Sequence, residues 1–167
     1  MPKQQTIKKP VSLKGVGIHT GKEVNLTFKP AKENFGYCFC RTDLPKKPII
    51  EANINYVVNT KRGTNLDKNG VKIKTSEHVL AALVGMEIDN VLIELDASEP
   101  PIMDGSSKFF VEALLKAGLK QQNKERNEYV VKDVISYYDE KSGSDIKVIP
   151  SNHYEVDVMV DYGDKVV

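Results

Sequence analysis

The sequence predicts an α+β fold, a two-layer sandwich of a mainly antiparallel sheet with two helices on one face, followed by the first strands of a second, similar domain. Three observations predict it. Short alternating apolar segments, separated by turn residues, fill the chain as far as Ile73. Two later segments carry apolar residues at helical spacing with one extended apolar run between them. After a stretch without apolar side chains, further alternating segments follow with no helical pattern to cover them.

Taken in order, Thr6 to Ser12 alternates as a strand and Gly15-Val16-Gly17-Ile18-His19-Thr20-Gly21 forms a tight glycine loop, with Val24 to Lys29 returning as a partner strand. Pro30 has no amide hydrogen and stops it. Gly36 to Arg41 supplies another strand, Leu44-Pro45-Lys46-Lys47-Pro48 a connector, and Ile49 to Ile54 a sheet edge. Arg62-Gly63-Thr64-Asn65-Leu66 leads to Asp67-Lys68-Asn69-Gly70, whose Asn-Gly pair marks a hairpin before Val71 to Ile73. The first helix is expected over Ser76 to Met86, with Thr75 as N-cap and Val79, Leu80, Leu83, Val84 and Met86 as its core stripe. Asn90 to Leu95 reads as a buried strand. Pro100 and Pro101 break the chain, Asp104-Gly105-Ser106 turns it, and Ser107 to Ala117 forms a second helix carrying Phe109, Phe110, Leu114 and Leu115 and ending at Gly118.

Residues 1–120 therefore read as an amino-terminal α+β domain. Gln121 to Asn127 has no apolar residue, so 121–128 is read as a linker. Residues 129–167 read as the beginning of a second α+β domain, with strands over Tyr129 to Tyr138, Ile146 to Ile149 and Tyr154 to Tyr162 and a closing turn at Tyr162-Gly163-Asp164-Lys165. Strands alone cannot bury an independent core, so this domain is expected to be truncated and the natural protein longer.

Composition narrows the function classes. The 167 residues are 40% hydrophobic and 28% charged, ordinary globular values. Net charge is +1, from 24 basic and 23 acidic side chains, which gives no electrostatic footprint for nucleic acid. No apolar run reaches the length of a membrane span, and Met1 to Thr6 lacks the layout of a signal peptide, so a cytoplasmic location is expected. Cys38 and Cys40, two apart on one strand face, read as reduced thiols because such pairs rarely reach disulfide geometry.

The chemistry concentrates at Thr75-Ser76-Glu77-His78. A carboxylate beside an imidazole at a helix start can serve one metal-bound water, the imidazole as ligand and the carboxylate as base. Because consecutive helical side chains point about 100° apart, both reach one metal only if it lies beyond the helix end. There the helix dipole favours an anionic Glu77 and a neutral imidazole at His78. The same residues also suit the first turn of an ordinary capped helix. A catalytic zinc takes three protein ligands, and the chain has three histidines, His19, His78 and His153. His19 lies in the glycine loop, either approaching the helix start or bonding only backbone; His153 reads as a solvent-facing turn residue. No phosphate loop, dinucleotide fingerprint or nucleophile elbow is present. Asp104-Gly105-Ser106 reads as a turn, and Glu99-Pro100-Pro101 as a rigid approach to it.

Three stretches in register, Ser12-Leu13-Lys14-Gly15-Val16-Gly17-Ile18-His19-Thr20-Gly21, Thr75-Ser76-Glu77-His78-Val79-Leu80-Ala81-Ala82-Leu83 and Pro101-Ile102-Met103-Asp104-Gly105-Ser106-Ser107, closely resemble the UDP-3-O-acyl-N-acetylglucosamine deacetylase family of lipid A synthesis in Gram-negative bacteria. The resemblance implies two similar domains around a zinc site. It implies His78 as a Zn2+ ligand, Glu77 as the general base acting on zinc-bound water, and His19 as an active-site neighbour. Acetate would be released from a UDP-linked acylated glucosamine substrate. The family's remaining ligands, a His and an Asp, and its acid His belong to the missing carboxyl-terminal domain, so this chain is expected to be an inactive fragment with weak or absent zinc binding. Some members are fused to a 3-hydroxyacyl carrier-protein dehydratase. Lys61 and Arg62 make Asn59 to Thr64 more basic than the family leads one to expect. The competing expectations are a non-catalytic α+β binding domain associated with RNA, which the near-zero charge opposes, and a hydrolase that completes its site by self-association.

Overall fold

Alternation in Val24, Leu26 and Phe28, each fully buried between exposed or half-buried neighbours, sets one face of a sheet toward a core. The computed structural model describes residues 2–161. Its principal sheet contains β2 (Val11–Val16), β3 (Glu23–Pro30), β4 (Tyr37–Arg41), β5 (Ile49–Glu51) and β9 (Val91–Leu95), in the order β2-β3-β9-β4-β5. Only the β4 and β9 pair is parallel in it. Register sets Leu26 opposite Leu95, Phe28 opposite Ile93 and Phe39 opposite Ile93, which gathers these side chains on one face.

That face is covered by α1 (Glu77–Gly85) and α2 (Lys108–Ala117). Val79 and Leu83 from α1 and Phe110 and Leu114 from α2 are buried in the same cluster as Leu26, Phe28 and Ile93. The rings of Phe28 and Phe110 meet edge to face, 6.4 Å between centroids. Burying a side chain of this size is worth about 1.5–3 kcal/mol over leaving it exposed. The α+β layering read from the sequence is thus present, with helices held to the sheet by apolar contact.

Local departures have physical causes. The strand expected over Thr6 to Ser12 is split between β1 (Lys3–Ile7) and β2, because the chain bends at Lys8 and Lys9 before Pro10 and the two halves join different sheets. The sheet edge expected as far as Ile54 ends at Glu51, where Asn53 caps a 3-10 turn at Ile54–Tyr56. Thr75 is not the N-cap: Ser76 occupies that position, and its hydroxyl donates to the Thr64 carbonyl, 3.0 Å away, instead of capping the helix. Val84 and Leu115, expected in the core stripes, are 48% and 61% exposed, while Ala82 and Ala113 are buried in the helical core faces.

Residues 121–125, read as linker, are strand. They belong to β10 (Leu119–Glu125), which pairs antiparallel with β1. The strand has few apolar side chains because an amide network holds it. Asn90 Nδ2 donates to Gln4 Oε1 at 2.9 Å and to Gln122 Oε1 at 2.8 Å, and Gln4 Nε2 donates to Asn34 Oδ1 at 2.8 Å. A three-stranded sheet follows β5 in the chain: β6 (Val57–Asn59), β7 (Asn65–Lys68) and β8 (Val71–Ile73). The expected Asn-Gly hairpin joins β7 to β8, with Asn69 at φ 54° and Gly70 at φ 80°.

The chain divides into two compact units, the first ending at Arg126 and the second starting at Asn127. In the second, β11 (Ile135–Asp139) pairs with β12 (Ser144–Val148). The strand expected from Tyr129 begins only at Ile135, and the strand expected from Tyr154 is absent as far as Asp161. The expected turn at Tyr162 to Lys165 lies outside the described residues. No helix among the described residues is long and apolar enough to cross a membrane. Cys38 and Cys40 are both buried and free.

Candidate active site

The three candidate residues lie on two elements joined by a third. His19 sits in the turn between β2 and β3, closed by Gly21 N donating to Gly17 O at 2.9 Å. Glu77 and His78 open α1. Between them in the contact chain stands the turn Arg62-Gly63-Thr64, ahead of β7. The Arg62 carbonyl lies 2.9 Å from His19 Nε2, and the Thr64 amide donates to Glu77 Oε2 at 2.7 Å. His19 and Glu77 are therefore tethered to the same three-residue turn. A Cβ at Gly63, which takes φ 145°, would stand 3.2 Å from Glu77 Oε1, so glycine lets the turn approach the carboxylate.

Glu77 Oε1 lies 3.9 Å from His78 Nε2, and the two side chains are 37% and 30% exposed. The pair is accessible, as a site meeting a substrate requires. Ser107 fixes its backbone from the other side, donating to the His78 carbonyl at 2.9 Å. The first helical turn also places Glu77 where the aligned peptide dipoles favour an anion.

Glu99 is the residue that the sequence reading missed as a part of this site. It is fully buried. Its Oε2 accepts from the Thr20 amide at 2.9 Å and the Thr20 hydroxyl at 2.8 Å, and its Oε1 from the Thr75 hydroxyl at 2.8 Å. The His19 amide lies 3.2 Å from each oxygen. One carboxylate thus binds the His19 loop to the residue preceding Ser76 at the start of α1. Burial pushes its carboxyl up, but the bonds from Thr20, Thr75 and the loop amides outweigh that and hold it below its ordinary 4.5. Thr75 itself takes φ 50°, rare for a β-branched residue, and its bond to Glu99 supports that conformation. A Cβ at Gly17 would stand 2.5 Å from Glu99 Oε2, so only glycine lets the loop close on the carboxylate. The available sequence signal was a charged residue leading two prolines, with a loop of amides elsewhere in need of acceptors.

The other candidates fall where expected. Asp104 Oδ1 accepts from the Ser106 amide at 3.0 Å and hydroxyl at 2.8 Å, a turn before α2 rather than a nucleophile. His153 is exposed among its own neighbours, with Nδ1 2.7 Å from Asn152 Oδ1. Among the described residues no group of three or more His, Cys, Asp or Glu is placed to hold a metal ion. His78 offers one imidazole, and the described residues do not complete a zinc site.

Fold and site together define an α+β protein with a half-buried but accessible acid and imidazole pair at a helix start, backed by a buried carboxylate. Residues 4–167 match the family described as UDP-3-O-acyl N-acetylglycosamine deacetylase (LpxC), and the chain belongs to that family. It is 46% identical to the bifunctional enzyme LpxC/FabZ of Chlorobaculum tepidum over 95% of this chain and 34% of that protein. Identity is 41% to the bifunctional enzyme LpxC/FabZ of Bacteroides thetaiotaomicron, over 100% of this chain and 36% of the relative. It is 39% to the UDP-3-O-acyl-N-acetylglucosamine deacetylase of Myxococcus xanthus, over 98% of this chain and 52% of the relative. The chain spans between about a third and about half the length of these relatives.

Proposed function

We propose that this chain supplies the amino-terminal part of a zinc-dependent deacetylase site that removes acetate from UDP-3-O-(3-hydroxyacyl)-N-acetylglucosamine in lipid A biosynthesis. The observation that carries this reading is the Glu77 and His78 pair, 3.9 Å apart and half-buried at the start of α1, with Glu77 and His19 tethered to one turn. Glu77 is the general base. The Thr64 amide on Oε2 orients the carboxylate and leaves Oε1 to take a proton from the attacking water. His78 is a metal ligand, and His19 a neighbour that contacts the substrate.

Zinc rests on the family resemblance: His78 is the residue of this chain that would hold it, and the bound ion would supply Lewis-acid polarisation of the amide carbonyl. The further ligands and the acid are proposed to come from a carboxyl-terminal domain of which residues 129–167 are the beginning, and without it the chain is proposed to be inactive. The setting proposed for it is cytoplasmic. The test is acetate release from the UDP-linked acylated glucosamine by the full product of the gene encoding this chain, with and without chelator. Chelator-sensitive release is expected; a purified, folded product that releases no acetate under zinc-replete conditions contradicts the proposal.

A further inference from the structure

Two links join the His19 loop to the start of α1. The first runs through the turn Arg62 to Thr64. The Arg62 carbonyl meets His19 Nε2, the Thr64 amide holds Glu77, and the Thr64 carbonyl accepts from the Ser76 amide at 3.1 Å and the Ser76 hydroxyl at 3.0 Å. The second is Glu99, which takes the His19 and Thr20 amides and the Thr20 hydroxyl from the loop and the Thr75 hydroxyl from the helix side. Together they close a ring of contacts from which His19 and Glu77 both project. Glu99 is set in that ring by its own segment. Just before it, the Ser98 carbonyl accepts from the Lys74 amide at 2.8 Å; just after it, the Ile102 amide donates to the Val16 carbonyl at 2.9 Å. Between these anchors Pro100 and Pro101 are buried, and their rings fix φ. The segment is thus pinned to both elements that the carboxylate joins.

Every partner of Glu99 among the described residues is a neutral donor. A buried anion without a cation is expensive, so packing alone does not account for it. A carboxylate accepts on both oxygens at once, whereas an amide of the same length accepts on one. We propose that Glu99 is a positioning residue for the hydrolysis, fixing His19 relative to the Glu77 and His78 pair without touching substrate, a role that rests on the deacetylase reading for its effect on rate. Thr75, at φ 50°, leads into α1 two positions before Glu77, so the bond that holds Thr75 sets where the pair projects. On the loop side a carbonyl can only accept, so His19 carries a hydrogen on Nε2 toward Arg62. The bonds to Glu99 keep the loop where that contact is made.

The test uses the full gene product, with kcat referred to folded protein by circular dichroism. Glu99→Leu should lower kcat by about 10- to 10²-fold with KM within about twofold of wild type, a loss of alignment rather than of binding. Glu99→Gln can turn its NH2 toward the Thr75 hydroxyl and keep its oxygen for the loop, so it should restore most of that loss. Thr75→Val keeps the branched carbon and removes only the hydroxyl. It should lower kcat in the same direction and add nothing to Glu99→Leu, because both cut one link. A second readout needs no turnover: 15N shifts of the His19 ring in mildly alkaline buffer should place the hydrogen on Nε2 in the wild type and show mixed tautomers in Glu99→Leu. If Glu99→Leu does not fold, Thr20→Val and Thr75→Val, each cutting one end, carry both comparisons. Folded variants with wild-type kcat, a change in KM alone, or additive losses in the double variant overturn the positioning role. If the wild type releases no acetate, the deacetylase reading falls and the ring signal decides: mixed tautomers in the variants keep Glu99 as the joint of the His19 loop, and an unchanged ring overturns it.

Discussion

The two units of the chain carry similar strand patterns and opposite burial. In the first, Phe28, Phe39, Phe110, Ile93 and Leu114 are fully buried between sheet and helices. In the second, Tyr137, Tyr138 and Ile146 are 60% to 62% exposed on a two-stranded hairpin. Alternation suffices to pair strands, but a covering layer is needed before apolar side chains stabilise anything. The Glu77 and His78 pair belongs to the unit that has its own core, and Thr64 and Ser107, which bond it, lie in that unit too.

That contrast can be broken most directly in the core. Phe110→Ala should cost about 3–5 kcal/mol of unfolding free energy, because it empties a fully buried position, whereas Tyr137→Ala should stay within about 0.5 kcal/mol. Denaturant melts of both variants check this. Equal losses would mean that the hairpin residue is as structurally committed as the core.

Next in size is the buried carboxylate. Glu99→Leu leaves the hydroxyls of Thr20 and Thr75 and the loop amides without their acceptor, at about 1–3 kcal/mol for each donor left buried. Glu99→Gln keeps an acceptor oxygen and should lose less. Loosening should appear first as faster amide exchange at His19 and Thr20, a local readout that a general packing defect would not single out.

The same residue gives a pH signature. Its carboxyl is held below its ordinary 4.5 in the folded chain, so the stabilisation it brings is present above that value and is lost as pH falls through the lower, folded value. Acid titration of stability should show this decline in the wild type and a shallower one in Glu99→Gln. Identical curves would contradict an ionised Glu99. A small effect is also expected at the surface of the first unit, where Lys14→Ala removes an exposed ion pair with Glu23 at 3.2 Å and should shift stability by less than about 1 kcal/mol.

Layering and most elements were legible in the sequence because they depend on period and punctuation. The Asn69-Gly70 hairpin, the Val24 to Lys29 alternation and the stop at Gly118 are local signals, and the structure keeps them. β10 was not legible, because Gln122 is held through Asn90 and Gln4, partners distant in sequence that leave no apolar mark. Glu99 escaped for a related reason. A buried charge is recognisable only by its partners, and Thr20 lies 79 residues away. Glu77, His78 and His19 were picked out by type and position, yet the turn that connects Glu77 to His19, Arg62 to Thr64, emerged only from the contacts of its backbone with those two side chains.

The central claim is that Glu77 is the base of a deacetylating site. Glu77→Gln in the full gene product, followed by acetate release and by circular dichroism, tests it most directly. The variant should keep native structure and a KM close to wild type, with kcat lower by about 10²–10⁴-fold, the range for loss of a positioned proton acceptor. A folded Glu77→Gln protein that turns over within a few-fold of wild type would contradict it.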